Sequence, residues 1–327
     1  MEANNRERVK ELIKTKVSLA PMAGITDFMM RDLIRDYTRE SLLTTEMISS
    51  EFLRQVKGNL IEKKNEKSSP VSYQINGHKP ELMAESAKYL NQFADMIDIN
   101  MGCPVNKVVK GQDGCALMRN PELAVEIVKA VKEVITVPLS VKFRLGYTFD
   151  ELNYVEYGQQ MQEAGADFIT IHGRTRSQMY SGKADWARIK LLKENVDIPV
   201  FANGDVVSIE TAEECLLQSG ADGVAIGRGT LGDLSLISRV EHYFKTGEKL
   251  PEPTIEEKID MARKHLDYEI QMRGENVGIK FMRKFYPHYI SKIHQATKLR
   301  SRLMTSEDLK EIYEILNVIK TKREIVA

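Results

Sequence analysis

Short apolar runs rich in β-forming residues alternate along the chain with longer amphipathic stretches. Eight such runs read as strands, at residues 17–23, 42–47, 70–75, 96–100, 138–144, 167–172, 199–203 and 223–227. Between them lie helical patterns such as residues 121–131, which open with Pro121 at an N1-like position, and residues 210–217, which stop near Gly220. Strands alternating with helices imply a parallel sheet, and eight units in about 230 residues fit a (β/α)₈ TIM barrel. An open doubly wound sheet is the rival, but no GxGxxG follows the first run, where a dinucleotide fold places its phosphate loop. Beyond Leu250-Pro-Glu-Pro253 the period becomes purely helical, with Ile255, Ile259, Ala262, Leu266 and Ile270, then Leu309, Ile312, Leu316 and Ile319 after a capping-type Thr305-Ser-Glu-Asp308. The expected organisation is a barrel over residues 1–250 and a small helical domain over residues 251–327.

The 327 residues, 42% of them hydrophobic, suffice for a large core. The 47 Lys and Arg balance 47 Asp and Glu, and a chain without positive excess is no general coat for nucleic acid or anionic membrane. Three cysteines are too few for a disulfide framework and show neither CxxC nor His-spaced metal ligation, so no metal is expected and a reducing compartment is. The polar start and the lack of an apolar run of about 20 residues predict neither signal peptide nor membrane span, hence a cytoplasmic protein, expected as a monomer.

In a barrel of this kind, chemistry is built where the strands end. Those ends carry Pro21-Met-Ala-Gly24, Tyr73-Gln74, Asn100-Met-Gly-Cys-Pro104, Lys142-Phe-Arg144, His172-Gly-Arg174, Asn203-Gly-Asp205 and Gly227-Arg-Gly229. The last two close the seventh and eighth runs, the usual phosphate site; their glycines admit backbone N–H groups to an anion, and Arg228 adds a charged contact, although such glycines also serve tight turns. Lys142 in an apolar strand needs an anion or substrate, as a Schiff-base lysine or the partner of an anionic cofactor, unless it is solvated at the strand end. Gln74 and Asn100 offer amides to a planar heterocycle or cap loops. His172 reads as a phosphate or oxyanion contact or as a hydrogen-bonded core histidine. Cys103 sits on a rigid Gly-Cys-Pro turn, where a protonated thiol can donate a proton or simply be buried.

Ala20-Pro-Met-Ala-Gly-Ile-Thr-Asp27, Asp98-Ile-Asn-Met-Gly-Cys-Pro-Val-Asn-Lys107, Val141-Lys-Phe-Arg-Leu-Gly146, His172-Gly-Arg-Thr-Arg-Ser-Gln-Met-Tyr-Ser-Gly182 with Ala184-Asp-Trp186, and Asn203-Gly-Asp205 together resemble the flavin-dependent tRNA-dihydrouridine synthases, in their bacterial DusB-like branch. The resemblance spans residues 15–235 in order, with Phe143 where a smaller β-branched residue is expected. It implies FMN over the barrel mouth: Pro21, Met22 and Ala23 along its ring, Gln74 and Lys142 at its polar edge, His172 nearby, and Asn203, Gly204, Asp205, Gly227 and Arg228 around its phosphate. It implies NADPH or NADH as transient reductant and a uridine extruded from tRNA, reduced at C6 while Cys103 protonates C5. Asn100 and Arg144 would position the base or the flavin, and Arg174 and Arg176 would meet the RNA.

An RNA surface is sought in the helical domain, where residues 276–306 hold no acid but seven cations: Lys280, Arg283, Lys284, Lys292, Lys298, Arg300 and Arg302. Phe281, Phe285, Tyr286 and Tyr289 interleave with them, a pattern suited to RNA shape recognition or else a solvated helix face. Alternatives to a tRNA substrate are ribosomal RNA, or a free small molecule reduced as by dihydroorotate dehydrogenases or enoate reductases. A catalytically silent RNA-binding barrel is a third reading.

Overall fold

The structure is a computed structural model describing residues 2–56, 68–291 and 297–321. Its strands are β1 (Val17–Leu19), β2 (Leu42–Thr44), β3 (Ile48–Ser49), β4 (Val71–Asn76), β5 (Met96–Asn100), β6 (Leu139–Arg144), β7 (Phe168–His172), β8 (Val200–Asn203) and β9 (Gly223–Ile226). All pair in parallel, in the order β2-β1-β9-β8-β7-β6-β5-β4-β3, and β2 also pairs with β4. Eight strands therefore close into the expected (β/α)₈ barrel. β3 is a two-residue addition beside the end of β4, too short to show in the hydrophobic pattern.

Alternate residues along each strand face opposite sides. Val17, Leu19, Val71, Ile75, Ile97, Ile99, Val141, Ile169, Ile171, Val200, Val224 and Ile226 belong to the core that joins the strands to the surrounding helices. The unexpected Phe143 belongs to it too, with its ring edge-on to Tyr157 at 5.3 Å. Inside the barrel, Leu42, Met96, Phe168 and Phe201 form a separate apolar floor, closed from below by Val9 and Ile13 of the N-terminal segment. Above the floor lies a layer of Ser18, Thr44, Ser72, Asp98, Ser140 and Thr170 around a cavity of about 10 Å³, room for roughly one water. The strand ends above that layer carry the functional residues.

The predicted helix at residue 121 spans Pro121–Val134, with Asn120 accepting from the Leu123 N–H, and the one near residue 210 spans Ile209–Ser219, ended by Gly220 at φ 59°. After the 250–253 segment come the helices Ile255–Arg273, Glu275–Met282, Tyr286–Tyr289, Thr297–Thr305 and Leu309–Thr321. The first starts with a reciprocal Thr254–Glu257 capping box. These helices pack on the barrel: Tyr268 donates to Asp32 at 2.9 Å, and Lys264 pairs with Asp36 at 2.7 Å. Among the described residues no helix is long and apolar enough to cross a membrane.

The floor carries a measurable share of stability. Phe201 is fully buried and meets Phe168 edge-on at 5.0 Å, so Phe201→Ala should lower the unfolding free energy by about 3–5 kcal/mol in a urea titration. A loss under about 1 kcal/mol would show that the floor adds little.

Candidate active site

A cavity of about 760 Å³ opens over the strand ends. Pro21, Met22, Ala23, Gln74, Asn100, Cys103, Lys142, Arg144, His172, Asn203, Gly204, Asp205, Gly227 and Arg228 all line it. Closure of the barrel thus brings residues more than 200 positions apart in sequence into one site.

The side formed by β4, β5 and β6 is a chain of buried polar groups. Ser140 donates to Asp98 at 2.6 Å, Gln74 Nε2 donates to the other Asp98 oxygen at 2.6 Å, and Asn100 Nδ2 donates to Gln74 Oε1 at 2.8 Å. Asn100 Oδ1 accepts from the N–H groups of Gly102 and Cys103, at 3.3 and 3.0 Å, and so shapes the turn that holds the thiol. Arg144 Nε donates to Gly102 O at 2.8 Å, and its Nη1 donates to Thr175 O and Met179 O. The turn is therefore fixed from both sides. Burial pushes the Cys103 thiol up, partly offset by the Val105 N–H, which keeps it protonated at neutral pH.

Lys142 is 9% exposed, and no hydrogen bond or ion pair to it is formed among the described residues. Burial, then the neighbouring Arg144, lower its pKa to about 8. Its ammonium lines the cavity with no protein acceptor among the described residues, a donor placed to meet an acceptor that enters there. His172 is pushed well below its usual range by burial first and then by Arg144, Lys142, Arg174 and Arg228, so the ring is neutral. Arg174 Nη1 lies 3.2 Å from His172 Nε2 and can only donate, so Nδ1 carries the ring proton.

Opposite lie the glycine loops. Gly204 has φ +117°, and a Cβ there would meet Ala184 Cβ at 2.8 Å and His172 Cδ2 at 2.9 Å; a Cβ on Gly229 would meet Val206 O at 2.4 Å. Both positions exclude a side chain, leaving backbone at the cavity. Trp186 Nε1 donates to Gly204 O at 2.9 Å, and Asn203 Nδ2 to Ala225 O at 2.7 Å. The Asp205 carboxylate faces protein cations, with Arg174 at 2.6 Å and Arg228 at 3.1 Å, so Asp205 braces this loop through its side chain. Arg228 remains 49% exposed on its other faces. A planar heterocycle with carbonyl groups would meet the donors of Gln74, Asn100 and Lys142, and an attached phosphate the glycine backbone and Arg228.

Several expected RNA contacts already have partners within the protein. Arg174 is 1% exposed and also donates to Ser181 O and Gly182 O; it is an internal brace, since a buried guanidinium engaged at all three nitrogens cannot reach RNA. Arg176 donates to Asn106 and stacks on Tyr147. Lys284 donates to the carbonyl of Gly24, whose N–H binds Glu46, and lies 3.5 Å from the Phe281 ring centre, so it clamps the loop after β1 while its side chain stays exposed. Arg283 donates to Thr305 O and Ser306 O and shares Glu307 with Lys280; Arg302 binds Glu311. Phe285, Tyr286 and Tyr289 are core residues, unavailable for stacking on bases. Lys292 falls outside the described residues. Lys298 is exposed, and Arg300 is half-buried on the same helix.

Sequence reasoning passed over Asp98, Met47, Tyr180 and His288. The last three line the cavity; His288 comes from the helical segment, and Tyr180 stands near both Arg144 and Arg228. Because burial raises the Cys103 pKa, iodoacetamide should modify it in ligand-free protein more slowly at about pH 8 than a free thiol, with a rate still climbing above about pH 9. Cys115 and Cys215, pushed up to about 12, should stay unmodified in the folded state. Fast, pH-independent alkylation of Cys103 would contradict this environment.

Residues 18–325 match the family model described as dihydrouridine synthase (Dus). The chain is 40% identical over 307 residues to a probable tRNA-dihydrouridine synthase 1 of Synechocystis sp., covering 93% of this chain and 86% of that protein. It is 37% identical over 302 residues to a probable tRNA-dihydrouridine synthase of Rickettsia conorii, covering 90% of each. With tRNA-dihydrouridine synthase B of Shewanella oneidensis it shares 38% identity over 286 residues, 86% of this chain and 88% of that one. A site assembled from the residues that carry the resemblance, and relatives aligned over nearly the whole chain, place this protein in the dihydrouridine synthase family.

Proposed function

We propose that this flavin-dependent oxidoreductase uses FMN, and NADPH as reductant, to convert specific uridines of tRNA to 5,6-dihydrouridine. The observation that carries the reading is one cavity holding both the unpaired Lys142 donor and a protonated cysteine thiol. Lys142, Gln74 and Asn100 would hold the oxygen-bearing edge of the flavin, with Pro21, Met22 and Ala23 along its ring. Backbone at Gly204 and Gly227, with Asn203 and Arg228, would hold its phosphate, and Asp205 would keep that loop in place.

When bound and reduced, FMN supplies the hydride equivalent that the uracil C5–C6 double bond accepts at C6. Cys103 Sγ–H gives its proton to C5, so the double bond takes up one hydride and one proton, and the thiolate recovers a proton from solvent. A thiol with raised pKa suits this step, because it arrives protonated. Lys142 carries positive charge next to the site where negative charge builds up before that transfer, and burial strengthens the interaction. His172, neutral and held by Arg174, offers a fixed dipole without adding a competing acid.

Residues 1–250 would hold the chemistry and residues 251–327 would grip the RNA, with the exposed Lys280, Lys284, Lys298 and Arg302 and the half-buried Arg300 of the acid-free stretch on the side that meets it. A uridine within folded RNA must leave its stack to enter a cavity of this kind.

Cys103→Ala should retain FMN and NADPH oxidation while dihydrouridine formation on unmodified tRNA falls by about 10²–10⁴-fold, as for loss of a general acid. Wild-type turnover by this variant would remove Cys103 from the mechanism, and protein that takes up no FMN would remove the flavin reading. Reversing Lys280 and Lys298 to Glu should weaken tRNA binding and reduce the salt slope by about 0.7–0.9 per lost phosphate contact, leaving FMN affinity unchanged. An unchanged slope would move the RNA surface off this segment.

A further inference from the structure

Every carboxylate and amide oxygen in the buried chain beside Cys103 already accepts from a protein donor. Gln74 and Asp98 are register partners on β4 and β5, and Asp98 and Ser140 on β5 and β6, so these groups meet by strand pairing alone. Asp98 is acceptor-only when ionised, and Ser140 and Gln74 each donate to one of its oxygens at 2.6 Å. Gln74 must therefore aim its NH₂ group at Asp98 and its carbonyl at Asn100, which donates to it at 2.8 Å. Asn100 in turn keeps its carbonyl on the N–H groups of Gly102 and Cys103. One N–H of each amide is left over, and both residues line the cavity. If Gln74 reversed, its carbonyl would face a carboxylate, and Asn100 would have to abandon the Cys103 turn to accept from it.

We propose that Asp98 is a positioning residue that fixes the direction of the Gln74–Asn100 amide pair, so that the cavity is presented with N–H groups only and the Cys103 turn keeps its acceptor. The acid acts through Gln74 and touches no reacting atom. Its effect on ligand selection is to favour a heterocycle edge made of acceptors. The inference relies on the flavin reading for one of its two readouts; the other is independent of flavin.

The test compares Asp98→Leu, which cannot accept, with Asp98→Asn, whose amide oxygen can accept from Gln74 while its NH₂ donates to Ser140. Measured are the Kd for FMN after reconstitution of flavin-free protein, and the iodoacetamide rate at Cys103 without flavin. Asp98→Leu should raise the FMN Kd at least about tenfold and the alkylation rate at least about threefold, because the turn loosens; Asp98→Asn should stay within about threefold on both. Should Asp98→Leu fail to fold, the double exchange Gln74→Glu with Asp98→Asn carries the test: it keeps the hydrogen bonds but reverses the direction of the one between positions 74 and 98. That protein should alkylate like wild type and yet bind FMN at least about tenfold more weakly, since glutamate offers no N–H to the cavity. Wild-type values in Asp98→Leu, wild-type FMN affinity in the exchanged pair, or Asp98→Asn as impaired as Asp98→Leu would overturn the proposal, the last by assigning the effect to charge. Wild-type protein that binds no FMN would end the flavin reading and leave the alkylation comparison standing.

Discussion

Closing eight parallel strands forces every second strand residue into one narrow interior, and that interior must satisfy whatever polar groups enter it. The protein divides the space by height. The bottom is filled by Leu42, Met96, Phe168 and Phe201, and the level above by Ser18, Thr44, Ser72, Ser140 and Thr170, which with Asp98 enclose a little space. At the top, Gln74, Asn100, Lys142 and His172 face the cavity while their backbones belong to the ladder. The apolar floor keeps water out from below. The polar tier above it gives Asp98 partners, and Asp98 gives the site its order.

Much of this was legible in the chain because barrel strands announce themselves and their ends are where chemistry sits. Lys142 stood out as a charge in an apolar run, and the Gly-Cys-Pro turn as a rigid seat for a thiol. The sequence was less informative where a residue's role depends on a partner far away. Arg174 sits in Arg-Thr-Arg and looks like a surface cation; only the fold brings Asp205, Ser181 and Gly182 around it. Asp98 looked like one more residue of a motif, since nothing local reveals that Gln74 and Ser140 flank it on adjacent strands.

The acid-free stretch is where a count along the chain tells least. A window of sequence counts charges along the chain, whereas pairing happens in space, and Glu307, Glu311, Glu46 and Asp27 reach this segment from outside the window. A usable signal was present: Phe281, Phe285 and Tyr289 recur every four residues, with Met282 and Tyr286 beside them, a helical stripe that belongs to a core. The even charge balance of the whole chain reflects the same economy, since most of these cations already have an acid or a carbonyl. Lys280, Lys284, Lys298 and Arg302 are nonetheless exposed, enough for a local grip.

The clamp on Gly24 gives the helical segment a stake in the barrel's own interior. Met22 and Ala23 line the cavity, yet the next residue of their loop is held by Glu46 from the barrel and by Lys284 from the helices. The two halves of the chain are thus not a catalyst with a detachable handle. A barrel cut off at residue 250 would lack both Lys284, which holds the lip of the active site, and His288, which lines it, so the site is whole only with the helical segment attached.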